Sequence, residues 1–231
     1  MPHIVAIGGA AIEDGSPDMP LYRYLIELTG KAKPKVAYIP TACGEFPEAI
    51  TNFAARMAEL GVENTWLSFF FPHTADLRGY LLEQDLIYVG GGNTKSMLAL
   101  WREWGVDQYV REANNNGTVL AGLSAGSICW FEQGITDSIP GPLTALPCLG
   151  LLEGSNCPHY DSESERRPSY LRMVAHGELR SGHAADDGVG LHFENGRLSQ
   201  AVTSRPGGRA FHVERDGDAA RETPLEAKLL S

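Results

Sequence analysis

Cysteine is scarce in this chain and carries no pattern. Its four cysteines, Cys43, Cys129, Cys148 and Cys157, show no Cys-x-x-Cys spacing, so neither a zinc cluster nor a redox pair is signalled. An export signal is lacking too. The start Met1-Pro2-His3-Ile4-Val5-Ala6-Ile7 has no basic leader, and its short apolar run reads as a strand. Reduced thiols in the cytoplasm are therefore the expectation. No stretch approaches the ~20 apolar residues of a membrane span. Positive charge is in deficit, with 19 Lys+Arg against 29 Asp+Glu and a net charge of −10. That balance argues against nucleic acid and anionic membranes as partners. Linkers, low-complexity tracts and internal repeats are missing as well, so residues 1–231 are read as one domain.

What is present is an alternation of short apolar runs with helical patterns. Strands are expected at Ile4–Ile7, Lys35–Pro40, Thr65–Phe70, Asp85–Val89 and Thr118–Leu123. Helices are expected at Leu21–Leu28 (after the acidic Asp18), Pro47–Leu60 with Gly61 as its stop, Thr94 to about Trp104, and about Val106–Asn114. This order means βαβ units and a mostly parallel sheet with helices on both faces, an α/β fold. The last third differs. Val189–Phe193, Leu198–Thr203 and Arg209–Glu214 are short strands punctuated by Asn195-Gly196, Gly207-Gly208 and Asp216-Gly217. Such dipeptides suit hairpins, so an antiparallel addition to the same sheet is expected.

The most chemical stretch is Gly122-Leu123-Ser124-Ala125-Gly126. A serine between glycines at a strand-to-helix turn makes a nucleophile elbow, where the tight turn excludes neighbouring Cβ atoms. The N–H of Ala125, straight after the serine, can hold an oxyanion. The Gly90-Gly91-Gly92-Asn93 loop matches neither the dinucleotide fingerprint nor the P-loop. It fits better as the source of a second oxyanion donor.

A serine nucleophile needs a base and a carboxylate to orient that base. Of seven histidines, His159 follows an apolar segment and stands where a strand would deliver it to the carboxyl edge of the sheet. His3, His192 and His212 lie in strand-like runs and read as packed or surface residues. His176 and His183 read as solvated. For the acid, Asp137 follows the Gly134 break and can turn back toward the sheet edge. Glu132 is the alternative, although a helix continuing from Ser124 would carry it ~12 Å down the axis.

Together, Tyr88–Thr94, Gly122–Gly126, Thr136-Asp137 and Cys157-Pro158-His159-Tyr160 closely resemble the peptidase E (α-aspartyl dipeptidase) family, relatives of cyanophycinase. The resemblance runs along nearly the whole chain. It implies a flavodoxin-like three-layer sandwich similar to the class I glutamine amidotransferases, and a serine peptidase of short peptides that uses no metal or organic cofactor. Carried over by position, Ser124 is the nucleophile, His159 the base, and Gly92 and Ala125 the oxyanion donors, with Asp137 or Glu132 as the acid. Aspartyl dipeptidases also place an arginine beyond the histidine to meet the substrate's aspartate. Arg167 or Arg166 could do so here, or could simply pair with Glu163 or Glu165. Strict Asp-X preference is therefore not implied, and a relative with another peptide specificity, a carboxypeptidase for example, fits as well. An esterase-type hydrolase shares the elbow, but its histidine usually lies nearer the chain end. A glutaminase would carry cysteine at the elbow. A non-catalytic binding protein built on the glycine loop is the third class. An exposed sheet edge or the C-terminal hairpins could support a homodimer.

Overall fold

The computed structural model describes residues 1–10 and 19–231, so Asp18 lies outside the described residues. The chain opens with β1 (His3–Ile7), α1 (Met19–Leu28), β2 (Val36–Ile39), α2 (Pro47–Glu59), β3 (Asn64–Trp66), α3 (Leu77–Leu82) and β4 (Leu86–Val89). Next come α4 (Thr94–Trp104), α5 (Val106–Asn115), β5 (Val119–Leu123), α6 (Ala125–Ile128), β6 (Phe131–Thr136), β7 (Thr144–Pro147) and β8 (Leu152–Cys157). The remainder is α7 (Arg166–Ala175), β9 (Gly182–Ala185), β10 (Val189–Glu194), β11 (Arg197–Thr203), β12 (Ala210–Asp216), β13 (Ala219–Leu225) and β14 (Ala227–Leu229).

Local chemistry sets the helix ends. Pro47 occupies the first turn of α2, where its missing N–H costs nothing. Asp76 caps α3 by accepting from Gly79 N at 2.8 Å. Asn93 caps α4 by accepting from Ser96 N at 2.9 Å, and Gly105, with φ +72°, ends that helix.

The main sheet runs β14-β11-β10-β1-β5-β4-β2-β3. Strands β1, β5, β4, β2 and β3 are parallel, and β10 joins β1 antiparallel. Alternate side chains of these strands feed two separate cores, as the pleat requires. Val5, Ile7, Val36, Tyr38 and Ala121 pack with Leu21 and Leu25 of α1 and Phe53 and Met57 of α2. Ala6, Ile39, Ile87, Val89 and Leu120 pack with Met97 and Trp101 of α4 and Val106 and Val110 of α5. Helices thus cover both faces, giving the three-layer α/β sandwich.

Three expectations need correction. The C-terminal strands do not all extend the main sheet. β10 and β11 join it, but β12 and β13 belong to a second sheet, ordered β13-β12-β9-β8-β6-β7. The helix after Ser124 is only a single turn, so Glu132 lies on a strand and not down a helix axis. β3 ends at Trp66, and the segment to Phe70 is irregular. α6 is short because the chain beyond it, through the fully buried Cys129, Trp130 and Phe131, is drawn into the core between the sheets. Burial there outweighs helical continuation.

Candidate active site

Three strand ends of the main sheet meet at one edge: Gly8-Gly9 after β1, Gly90–Gly92 after β4 and Ser124 after β5. This is the crevice outside the carboxyl ends of parallel strands where α/β proteins place their ligands. Ser124 sits at φ +54°, ψ −112°, a conformation that costs a non-glycine residue of order 1–3 kcal/mol. The turn is tight because Gly122 and Gly126 pack on β4. A Cβ on Gly122 would lie 2.7 Å from the Val89 carbonyl oxygen and 2.6 Å from that of Gly126. A Cβ on Gly126 would overlap the Val89 carbonyl. The neighbouring glycine loop is equally close, since a Cβ on Gly91 would stand 3.2 Å from the Ser124 Cβ. Gly92 has φ +132° and lies against the Ala42 carbonyl, a combination open only to glycine. In α6 the N–H groups of Ser127 and Ile128 are spent on the Ser124 carbonyl, each at 2.9 Å. Ala125 precedes them in the first turn, where N–H groups lack a partner within the helix.

The second sheet supplies the rest. β8 and β9 are parallel neighbours with Cys157 opposite Ala184. His159 and Asp187, each just past its strand, therefore emerge side by side. The His159 Nδ1 is 2.8 Å from the Asp187 Oδ1, and both side chains are about four-fifths buried. Burial pushes the Asp187 carboxyl up. Hydrogen bonds from His159 and Ser162, with the charges of His159 and Arg205, outweigh burial and hold it below its ordinary value. An ionised carboxylate only accepts, which assigns the hydrogen to Nδ1 and leaves the Nε2 lone pair free to accept a proton.

Successive carbonyls at the end of β1 tie these pieces together. Ile7 O accepts from Ser124 N at 3.1 Å, Gly8 O from His159 N at 3.1 Å, and Gly9 O from Gly188 N at 2.9 Å. Gly9 must be glycine, because a Cβ there would overlap the Asp187 carboxylate and come within 2.6 Å of His159 Nδ1. A buried bond from Ser127 Oγ to Asn156 Oδ1, 2.9 Å long, joins the turn beyond Ser124 to β8. Asp187 is braced in turn. Its N–H donates to Asp161 Oδ1 at 3.0 Å, its carbonyl accepts from Arg205 Nε at 2.7 Å, and Arg205 also pairs with the Asp161 carboxylate.

The family model for peptidase family S51 matches residues 4–201 of the chain. The chain belongs to peptidase family S51. It is 45% identical over 230 residues to the uncharacterized peptidase YgaJ of Bacillus subtilis (strain 168), covering 100% of both chains. It is 26% identical over 195 residues to peptidase E of Haemophilus influenzae, covering 76% of this chain and 83% of that one. Among solved structures, a peptidase from an acI-B1 Actinobacterium superposes with a TM-score of 0.71 at 18% identity, over 98% of this chain and 95% of its own. A putative peptidase E of Listeria monocytogenes EGD-e gives 0.61 at 18% identity, over 98% and 100%.

This S51 member is thus a serine-type peptidase, and the acids and arginines expected from its sequence stand as follows. Asp137, the expected acid, does not meet His159. Its side chain is 63% exposed and pairs with Arg166 at 3.3 Å. Glu132 pairs with Arg180 at 3.1 Å and accepts from Gly154 N at 2.8 Å. The carboxylate on the histidine is Asp187, which sequence reasoning missed. Its signal was the strand-end logic that had singled out His159: two acids straight after the short apolar run Ala184-Ala185. Arg166 is 2% exposed and committed to Glu163 at 2.6 Å and the Ile135 carbonyl at 3.0 Å. Arg167 lies over the Tyr160 and Phe211 rings, 5.6 Å from each centroid, with its guanidinium 2.7 Å from Glu222. Among the described residues no helix is long and apolar enough to cross a membrane.

Proposed function

We propose that this S51 peptidase hydrolyses short peptides in the cytoplasm, as one domain, through a Ser124–His159–Asp187 triad and an acyl-enzyme. The observation that carries this reading is the His159–Asp187 hydrogen bond beside the strained Ser124 turn. His159 Nε2 takes the Ser124 proton as Oγ attacks the scissile carbonyl. The N–H groups of Gly92 and Ala125 hold the oxyanion, each worth roughly 2.7–4 kcal/mol in the transition state. Collapse breaks the C–N bond while His159 returns the proton to the leaving amine. Water, deprotonated by His159, then releases the acyl group. The residues in these roles call for no metal or organic cofactor.

The arginines favour a side-chain preference other than N-terminal aspartate. A substrate carboxylate would have to displace Glu222 from Arg167, and Arg166 is sealed in. A panel of dipeptides and tripeptides tests this, with Arg167→Ala alongside. Cleavage of many N-terminal residues, little changed by Arg167→Ala, is expected. Asp-X cleavage lost only in that variant would restore the aspartyl assignment. A fluorophosphonate probe tests the nucleophile: it should label the wild type and not Ser124→Ala, and equal labelling of both would sink the triad.

A further inference from the structure

At the opposite end of β1 from Ser124, two histidines and a glutamate converge. In the antiparallel β1–β10 pairing His3 lies opposite Glu194, and Val5 opposite His192. His3, Glu194 and His192 therefore share one face of the sheet. The His3 Nδ1 is 2.9 Å from the His192 Nε2, which is 3.9 Å from the Glu194 Oε1. The three ligand atoms all lie within 4.8 Å of one another. We propose that His3, His192 and Glu194 bind one first-row divalent transition-metal ion, zinc being the best fit, as a clip between β1 and β10.

The donor set is two imidazoles and one carboxylate, suited to an ion of intermediate softness rather than to magnesium or calcium. Zinc bonds to such ligands are about 2.0–2.1 Å, which sets tetrahedral ligands about 3.4 Å apart. The separations of 2.9 and 3.9 Å bracket that value. Glu194 sits at the solvent rim, and its carboxylate can close by side-chain rotation. A water molecule would complete the four-coordinate shell.

Support behind the ligands is already built. His192 is 1% exposed, and its outer nitrogen, Nδ1, is 2.6 Å from the Tyr24 hydroxyl, which accepts from Gln200 Nε2 at 2.8 Å. Glu194 accepts from Ser199 Oγ at 3.1 Å. Such partners fix ring orientation and tautomer in metal sites. Without an ion, one proton lies between the two facing nitrogens. On binding, that proton moves to the outer nitrogen of its own ring: Nε2 of His3, or Nδ1 of His192, where the Tyr24 oxygen can accept it. Both facing lone pairs then reach the ion, and no net proton need be released. The site is about 13 Å along the strand from the catalytic edge, so the ion's part is to pin the first strand.

The test uses untagged protein stripped with a chelator and titrated calorimetrically with zinc chloride. One equivalent should bind, and the melting temperature should rise with zinc. His3→Gln and Glu194→Gln should each weaken binding by about tenfold or more, and Tyr24→Phe by about tenfold through the outer shell. His3 and Glu194 are not buried, so their variants keep the fold, which circular dichroism checks. Cobalt(II) in place of zinc should show the intense visible bands of a four- or five-coordinate ion. No stoichiometric uptake, uptake undiminished in His3→Gln and Glu194→Gln, or only the faint spectrum of octahedral aqueous cobalt would overturn the proposal. No readout involves peptide hydrolysis, so the outcome is independent of the triad.

Discussion

Asp187 and Asp137 are the same residue type with opposite surroundings, and that contrast separates their roles. Asp187 receives His159, is braced by Asp161 and Arg205, and is held ionised. Asp137 is mostly exposed and turned toward Arg166. Asp187→Asn should keep the geometry but favour the wrong tautomer of His159, lowering kcat about 10³–10⁴-fold. Asp137→Asn takes one carboxylate from the buried Arg166, which keeps Glu163 and the Ile135 carbonyl. Glu132→Gln removes a half-exposed ion pair worth no more than about 1 kcal/mol; kcat should be little changed in both. Steady-state kinetics on one cleaved peptide compares all three. An equal fall in Asp137→Asn would reverse the assignment.

Among elements, the end of β1 organises the proposed site without supplying any of its proposed reacting atoms. Its carbonyls hold Ser124, His159 and Gly188 in turn, and Gly9 leaves room for the His159–Asp187 pair. Gly9→Ala should move that pair by a fraction of an ångström to an ångström and lower kcat about 100-fold. KM and the circular dichroism spectrum should stay near wild type. A fully active Gly9→Ala enzyme would show that the pair tolerates displacement. The bond between α6 and β8 gives a prediction in stability. Ser127→Ala leaves the buried Asn156 Oδ1 without its donor and should cost about 1–3 kcal/mol in urea unfolding. A change of only a few tenths would mean that Asn156 finds another partner.

Over the whole molecule, the proposed active site is a seam between two sheets. The main sheet carries Ser124 and the glycine loop, and the second sheet carries His159 and Asp187. His183, on β9, faces that seam, 6.3 Å from Phe131, 5.4 Å from Phe193 and 5.2 Å from His212 between ring centroids. Burial, aided by the charge of His212, pulls its pKa down to about 4. The unfolded chain, with histidine near 6.5, binds a proton in a window where the folded protein does not. Stability is therefore fully present above about pH 6.5 and declines as pH falls toward 4, by up to about 3 kcal/mol from this residue. His192 is shifted in the same direction by burial, so the informative quantity is a difference. With chelator present, His183→Phe should flatten the change in urea midpoint between pH 7 and pH 4.5. An unaltered slope would place the acid sensitivity elsewhere.

Much of this was legible along the chain. Short apolar runs between capped helices specify a parallel sheet covered on both faces, because period and capping are local properties. The elbow was legible for the same reason: a serine between glycines after a strand is a statement about one tight turn. The His159 partner was not, because Asp137 and Asp187 each follow a strand that flanks β8, β6 on one side and β9 on the other. Contacts beyond the strand ends separate them: the Asp137 carboxylate turns to Arg166, whereas Asp187 is held at His159 by Asp161 and Arg205. Ridges of burial around Cys129–Phe131 ended α6 early and moved Glu132 onto a strand. The environments of Arg166 and His192 also came from packing between distant segments. Local spacing decided which chemistry the chain carries, whereas long-range strand pairing and burial decided which carboxylate, which arginine and which histidines stand together.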